Sequence, residues 1–298
     1  MVGADSDGLV TLFAGRLALT LSPLVGGSIA RFDHIDGDNC FAILRSSAQV
    51  PKHVLATASF PLVPFVNRIR GGTFDFGGRI IQIAPNMAGD PSPLHGQGWL
   101  NPWQVISASE DRASLRYEHQ PGDWPWAYVA EQHFQLATGR LDVTLTCTNA
   151  SPQPMPCGLG QHPYFDCTAT TRIQTGVTHV WTIDDNVLPV EKIAATGRYD
   201  LSDRMVCGLG LDHGFGGWDG VAHLSDPAWP VRLSMSSPNA AYFQLYSPPS
   251  GGIFVAEPVT HANAALNAPE KQWAGLGLRI LDPGESMALS MTITCTEA

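Results

Sequence analysis

Four stretches of the chain set titratable or amide side chains among apolar, Gly or Pro neighbours: VPFVNRIRGGTFDFGG (63–78), PLHGQGW (93–99), GQHPYF (160–165) and VAEPVTHANAALN (255–267). Such settings fix the backbone and exclude water. His162 can give and retake a proton near neutrality, since an unperturbed imidazole titrates at ~6.5. Pro163 restricts the residue before it to extended conformations. Glu257 ends the apolar run GIFVA and is followed by Pro258, which lacks a backbone donor. Arg68 offers several donors in a rigid fork, and Asn67 offers both a donor and an acceptor. Each also has an ordinary structural reading. His162 could be a core histidine satisfied by a carbonyl, and Glu257 a strand-end acid in solvent. His95 could be a turn residue before Gly96, and Arg68 the partner of a surface acid.

Other chemistries lack their signatures. No G-x-S-x-G elbow signals a hydrolase nucleophile. No H-x-H or H-E-x-x-H suggests a metal site, and no glycine-rich phosphate cradle occurs. The six cysteines form no C-x-x-C pair, so a zinc ribbon or dithiol motif is not indicated; free, partly buried thiols in a reducing compartment are expected. His34, His53, His119, His133 and His223 read as surface or satisfied-core residues.

The elements that must carry these residues are strands. In RLDVTLTCTN (140–149), Leu141, Val143, Leu145 and Cys147 share one face and Asp142, Thr144, Thr146 and Thr148 the other, the alternation of a half-buried antiparallel strand. With VAEQHFQL before it and ATGR as the turn, 129–149 reads as a hairpin. TFDFGGRIIQI (73–83) reads as a second, with Gly77-Gly78 free to take the positive φ of a two-residue turn. SLRYEH, VRLSMSS, AYFQLYS, GIFVAEP and MALSMTITCTE continue the pattern. A short turn or two near 267–275 is the helical content expected.

The bulk composition agrees. Of 298 residues 44% are hydrophobic, enough for a sizeable core, and 30 Gly with 23 Pro favour turns over long helices. Only 15% are charged, against the ~25% usual for such domains. The net charge of −10 argues against nucleic acid. The N-terminus MVGADSDGLV is acidic where a signal peptide needs Lys or Arg, and no apolar run approaches the ~20 residues of a membrane span. A cytoplasmic protein with no membrane partner is expected. With no linker, repeat or charge run, 1–298 reads as one all-β domain, a large sandwich of antiparallel sheets with a concave face for a ligand.

The motif set resembles the aldose 1-epimerase (galactose mutarotase) family: Asn67-Arg68-Ile69, then Leu94-His95-Gly96, His162-Pro163-Tyr164-Phe165, Glu257-Pro258 and LDPGE at 281–285, in the family's order over most of the chain. Departures are Gln97 where longer members carry a second Gly, GLGQ before His162, and a loose match at LDHGFGGW (211–218). The resemblance implies a β-supersandwich and cofactor-independent, metal-free interconversion of α and β sugar anomers. Glu257 would be the base, His162 the acid and His95 an aid to charge at the ring oxygen. Asn67 and Arg68 would hold hydroxyls, with Asp212 and Gln244 as weaker candidates and Trp124 or Trp126 as a stacking platform. The partner would be a small sugar, the assembly a monomer or homodimer. A hexose-6-phosphate 1-epimerase and a non-catalytic carbohydrate-binding sandwich are the competing readings. The first needs extra cations at the rim; the second does not need both Glu257 and His162.

Overall fold

The computed structural model describes residues 5–47 and 50–297; the first four residues of the acidic N-terminal stretch lie outside them. Every named strand pairing is antiparallel. Helix is confined, among the described residues, to three-residue 3-10 turns, and none is long and apolar enough to cross a membrane. Three of these turns, Ala265–Asn267, Glu270–Gln272 and Ala274–Leu276, lie at and around the segment expected to turn.

The largest sheet has nine strands. Its centre is the long C-terminal strand Ser286–Glu297 beside Arg140–Asn149, then Tyr128–Ala137, Arg112–His119 and Gln104–Ala108; Val231–Ser236 flanks the other side. The 129–149 hairpin appears as Tyr128–Ala137 paired with Arg140–Asn149, and Leu141, Val143, Leu145 and Cys147 are all buried. The 73–83 hairpin also forms, with Gly77 and Gly78 at φ 58° and 73°. A four-stranded sheet begins the chain with Val10–Ala14, Leu17–Ser22, Ser28–Asp36 and Asn39–Ala42.

The eight-stranded sheet positions the chemistry. Its path runs Pro189–Ala194, His179–Ile183, Leu211–Gly216, Tyr242–Ser247, Ile253–Val259, Gly160–Gln161 and Pro61–Leu62, and Tyr164–Asp166 also pairs with Ile253–Val259. Its central strands Tyr242–Ser247 and Ile253–Val259 are covered on both faces, so they are buried almost continuously instead of in alternation. The period of two still assigns the faces. Phe215, Phe243, Leu245, Phe254 and Ala256 join the main core with residues of the nine-stranded sheet. On the opposite face Tyr242, Val255 and Val259 join Phe60, Leu62, Val66, Trp99 and Tyr164 in a second, smaller apolar cluster. Residues alternating with the main-core set are Asp212, Gln244 and Glu257. Polar side chains are therefore seated on the second cluster, away from the main core.

Candidate active site

Glu257 lies in the strand Ile253–Val259 between Ala256, which faces the main core, and Pro258. Register sets its neighbours: Gln244 stands opposite Glu257, Gly214 opposite Gln244, and Asp212 opposite Tyr246. His162 follows the strand Gly160–Gln161. Its backbone N–H donates to the Phe60 carbonyl (3.0 Å), and the Pro163 carbonyl accepts from Ala256 N (3.4 Å), beside Glu257. The His162 ring stacks on Phe60 with centroids 4.4 Å apart and planes at 16°, and the Tyr164 ring lies 4.7 Å away. This brings two residues 95 positions apart in sequence into contact: His162 Nε2 lies 3.5 Å from Glu257 Oε1.

The other two motifs meet in a reciprocal pair. Asn67 N donates to His95 Nδ1 (3.1 Å) and His95 N donates to the Asn67 carbonyl (3.0 Å). Both residues have left-handed backbones, φ 54° and 58°, a strained conformation that clusters at functional positions. The glycine of L-H-G has a steric reason: at φ 71°, a Cβ on Gly96 would sit 2.2 Å from the Val63 carbonyl oxygen. Since His95 Nδ1 accepts, its proton is on Nε2, and the ring presents a neutral N–H donor. The His95 and His162 rings are nearly perpendicular, 84°, with centroids 5.4 Å apart.

These groups line one pocket of about 240 Å³, with Leu55, Phe60, Asn67, Arg68, Met87, Leu94, Tyr164, Asp212 and Tyr246. Asp212 accepts from Gln244 Nε2 (2.8 Å), and Asn67 Nδ2 donates to Gln244 Oε1 (3.4 Å). Gln244 is thus buried one step behind the pocket wall, where it orients Asn67 and Asp212 instead of offering itself as a hydroxyl contact. Asp212 lies in the strand Leu211–Gly216. Arg68 pairs through Nε with Asp90 Oδ2 (2.8 Å), and its backbone N donates to Asn263 Oδ1 (3.1 Å).

Burial sets the charges. It pushes the Glu257 carboxyl well above its ordinary range, Asp212 adding in the same direction and Arg68 opposing. It pulls His162 down to about 3, Arg45 assisting. Burial likewise drives His95 well down, helped by His162 and Arg68, and raises Asp212 against the pull of Arg68. In the contacting pair, burial thus disfavours the charged form of both the carboxyl and the imidazole. His162 Nδ1 and Glu257 Oε2 are buried with no protein hydrogen-bond partner. Buried polar atoms are seldom left so, and a polar ligand in this pocket can supply the partners.

Among the described residues, His95, His162 and Glu257 are also the group that comes nearest to a metal-ligand set, with donor atoms within 4.8 Å of one another. Two bonds of ~2.1 Å at a tetrahedral angle hold donors ~3.4 Å apart, so a set spread to that limit would have to close in around an ion.

Like Gln244, Trp124 is placed off the pocket wall. Trp124 is fully buried among Phe65, Phe74 and Trp126 and lies outside this pocket. Trp126 lines a different groove of about 400 Å³ with Phe76, Arg79, Ile81, Glu270 and Ile280, where no acid/imidazole pair faces a ligand. From sequence, aromatics such as those in GDWPWAY are more often core than platform, and here the core takes Trp124. Sequence reasoning missed Asp90, Met87, Leu55 and Tyr246. The first two sit in the loop 84–92, whose Gly and Pro content signals only a turn. Tyr164 was visible inside its motif but carried no role; the Arg45 guanidinium lies 3.7 Å over its ring.

The profile of the family described as aldose 1-epimerase matches residues 9–294. The uncharacterized protein YphB of Escherichia coli K12 is 35% identical over 245 residues, 78% of this chain and 82% of the relative. The crystal structure of an Escherichia coli K12 protein provisionally assigned as an aldose 1-epimerase superposes with a TM-score of 0.89 at 32% identity, covering 97% of this chain and 99% of that one. A galactose mutarotase-like protein from Clostridium acetobutylicum shares the fold, with a TM-score of 0.85 at 19% identity over 97% of this chain and 95% of its own.

Proposed function

This chain belongs to the aldose 1-epimerase family, and from that premise we propose that it interconverts the α and β anomers of a free, uncharged aldose, with Glu257 and His162 as the acid/base pair. The observation that carries the proposal is their contact of 3.5 Å, each with a second polar atom unsatisfied, in a sugar-sized pocket. The proton inventory fits. The working form of the pair is a carboxylate on Glu257 beside an imidazolium on His162. Once the pair is in that form, Glu257 takes the proton from the C1 hydroxyl while His162 gives one to the ring oxygen. The C1–O5 bond breaks, the C1–C2 bond rotates, and the same two transfers in reverse close the ring from the other face. The proton count is unchanged at the end, and neither a cofactor nor a redox step is required. Neutral His95 donates its Nε2 proton toward the ring oxygen, where negative charge develops. Arg68, Asn67 and Asp212 supply donors and acceptors for the remaining hydroxyls.

The charge of the pocket supports a neutral substrate over a sugar phosphate. Its wall carries Asp212 and Glu257 against a single lining cation, Arg68, whose charge Asp90 offsets. Arg45 is spent beneath Tyr164, with its Nη2 on the carbonyls of Leu55 and Thr57. A phosphate would find no free cluster of cations. Two buried groups with unsatisfied atoms are also more than a binding module needs, which supports an enzyme over a lectin-like sandwich. The test is polarimetry on freshly dissolved α-anomers of a panel of hexoses, pentoses and hexose 6-phosphates. Accelerated mutarotation of neutral sugars is expected. Acceleration confined to the phosphates would transfer the assignment to the phosphorylated class, and binding without acceleration would make the protein a sugar-binding module.

A further inference from the structure

The Arg68–Asp90 pair has an unusual shape for a buried ion pair. Its side chains are 11% and 7% exposed, yet the contact is a single one, Nε to Oδ2 at 2.8 Å. Arginine and a carboxylate left to themselves favour two parallel hydrogen bonds. Here the other carboxylate oxygen is taken, since Asp90 Oδ1 accepts from Ser92 N (2.9 Å). No protein hydrogen bond reaches Nη1 or Nη2 of Arg68 among the described residues, and Arg68 lines the pocket while Asp90 does not. The guanidinium is therefore gripped from behind, with its far end left open.

The grip is tied to the rest of the site. Asn86, in the same loop as Asp90, donates through Nδ2 to the carbonyls of Leu94 (2.7 Å) and Gly96 (3.1 Å) and accepts from Leu94 N (2.7 Å). These contacts flank His95 on both sides. The loop 84–92 is thus keyed to the segment that carries His95, and Asp90 transmits that position to Arg68. A long flexible side chain loses up to ~2 kcal/mol of rotamer freedom when fixed. Fixing Arg68 before the ligand arrives lowers what binding must supply.

We propose that Asp90 is a positioning residue for substrate binding: its carboxylate holds Arg68 by Nε so that both Nη groups are left for sugar hydroxyls. The proposal rests on the sugar-pocket reading above. Hydroxyls held by Arg68 away from C1 bind the ground state and the transition state alike, so their loss shows in KM and spares kcat.

The experiment is a double-mutant cycle of parent, Asp90→Ala, Arg68→Ala and the double variant, with Asp90→Asn alongside. It is read as kcat and KM for D-galactose by polarimetry and as the D-galactose Kd by calorimetry. Asp90→Ala is expected to raise KM and Kd roughly tenfold with kcat within about threefold of the parent. Asp90→Asn, which keeps an acceptor for Nε, recovers most of the loss. In the double variant, loss of Asp90 adds nothing to loss of Arg68. Should Asp90→Ala not fold, Asp90→Ser, too short to reach Nε, takes its place. A parental KM and Kd in Asp90→Ala, or additive losses in the cycle, would overturn the proposal. If the parent does not act on galactose, the cycle is run with the neutral aldose of the panel that it binds best; a parent that binds such a sugar without turning over any of the panel refutes the epimerase reading alone, and the cycle on Kd still decides the role of Asp90. A parent that binds no neutral aldose of the panel refutes both.

Discussion

At the scale of single residues, the site is governed by burial. Glu257 and His162 are desolvated together, and desolvation pushes a carboxyl up and an imidazole down. The two side chains meet at 3.5 Å on the pocket wall. Glu257→Gln and His162→Asn each remove one of the two proposed proton-transfer groups. Both should lower kcat by ~10²–10⁴-fold, the usual contribution of a positioned acid or base. Thermal unfolding should meanwhile show a folded protein. Parental kcat in both variants would refute the assignment. These residues stood out in the sequence through the order of the motifs they belong to, since in its own neighbourhood each reads equally well or better as structural. Their partners did not. Asp90 shows itself only through a contact across a loop, and Trp124 differs from a sugar platform only in being walled in by Phe65 and Phe74.

At the scale of elements, two left-handed backbones and one glycine hold the site open. Asn67 and His95 exchange hydrogen bonds across a bridge that joins Arg68 to Leu94, and Gly96 lets this segment run against Val63. Gly96→Ala would force a Cβ into the Val63 carbonyl and a side chain into positive φ. A loss of roughly 2–4 kcal/mol in denaturant unfolding is expected, and a parental midpoint would contradict the packing described. Local elements were legible in the sequence because their information is local. The alternation at 140–149 and the Gly77-Gly78 turn needed no knowledge of the rest. The strand carrying Glu257 was harder, since a strand covered on both faces loses its alternation. Its polar residue stands out in sequence, but which face it joins follows only from the pairing with Tyr242–Ser247 and Tyr164–Asp166.

At the scale of the whole molecule, the all-β class followed from composition and periodicity, while the order of strands in the sheets depended on long-range closure that periodicity does not encode. One global consequence concerns acid. Burial holds His162 at about 3, and His213 and His261 at about 4. The unfolded chain protonates these groups near pH ~6.5. Their native pKa values are depressed, so their stabilising effect is complete above pH ~6.5 and is lost as pH falls through that value toward 4 and 3. For His261 alone the full effect is on the order of 3 kcal/mol. The melting temperature should therefore fall steadily between pH 7 and pH 4. His261→Gln, whose side-chain oxygen can still accept from Val66 N, should flatten that dependence. A slope unchanged by the substitution would show that His261 titrates normally.

The most direct measurement of the central claim is exchange NMR on D-galactose at anomeric equilibrium, where no net reaction is needed. Cross-peaks between the α and β H1 resonances should grow in proportion to added parent protein and vanish to the uncatalysed level with Glu257→Gln. Exchange that is not accelerated by the parent on any neutral aldose, or that persists undiminished in Glu257→Gln, would contradict it.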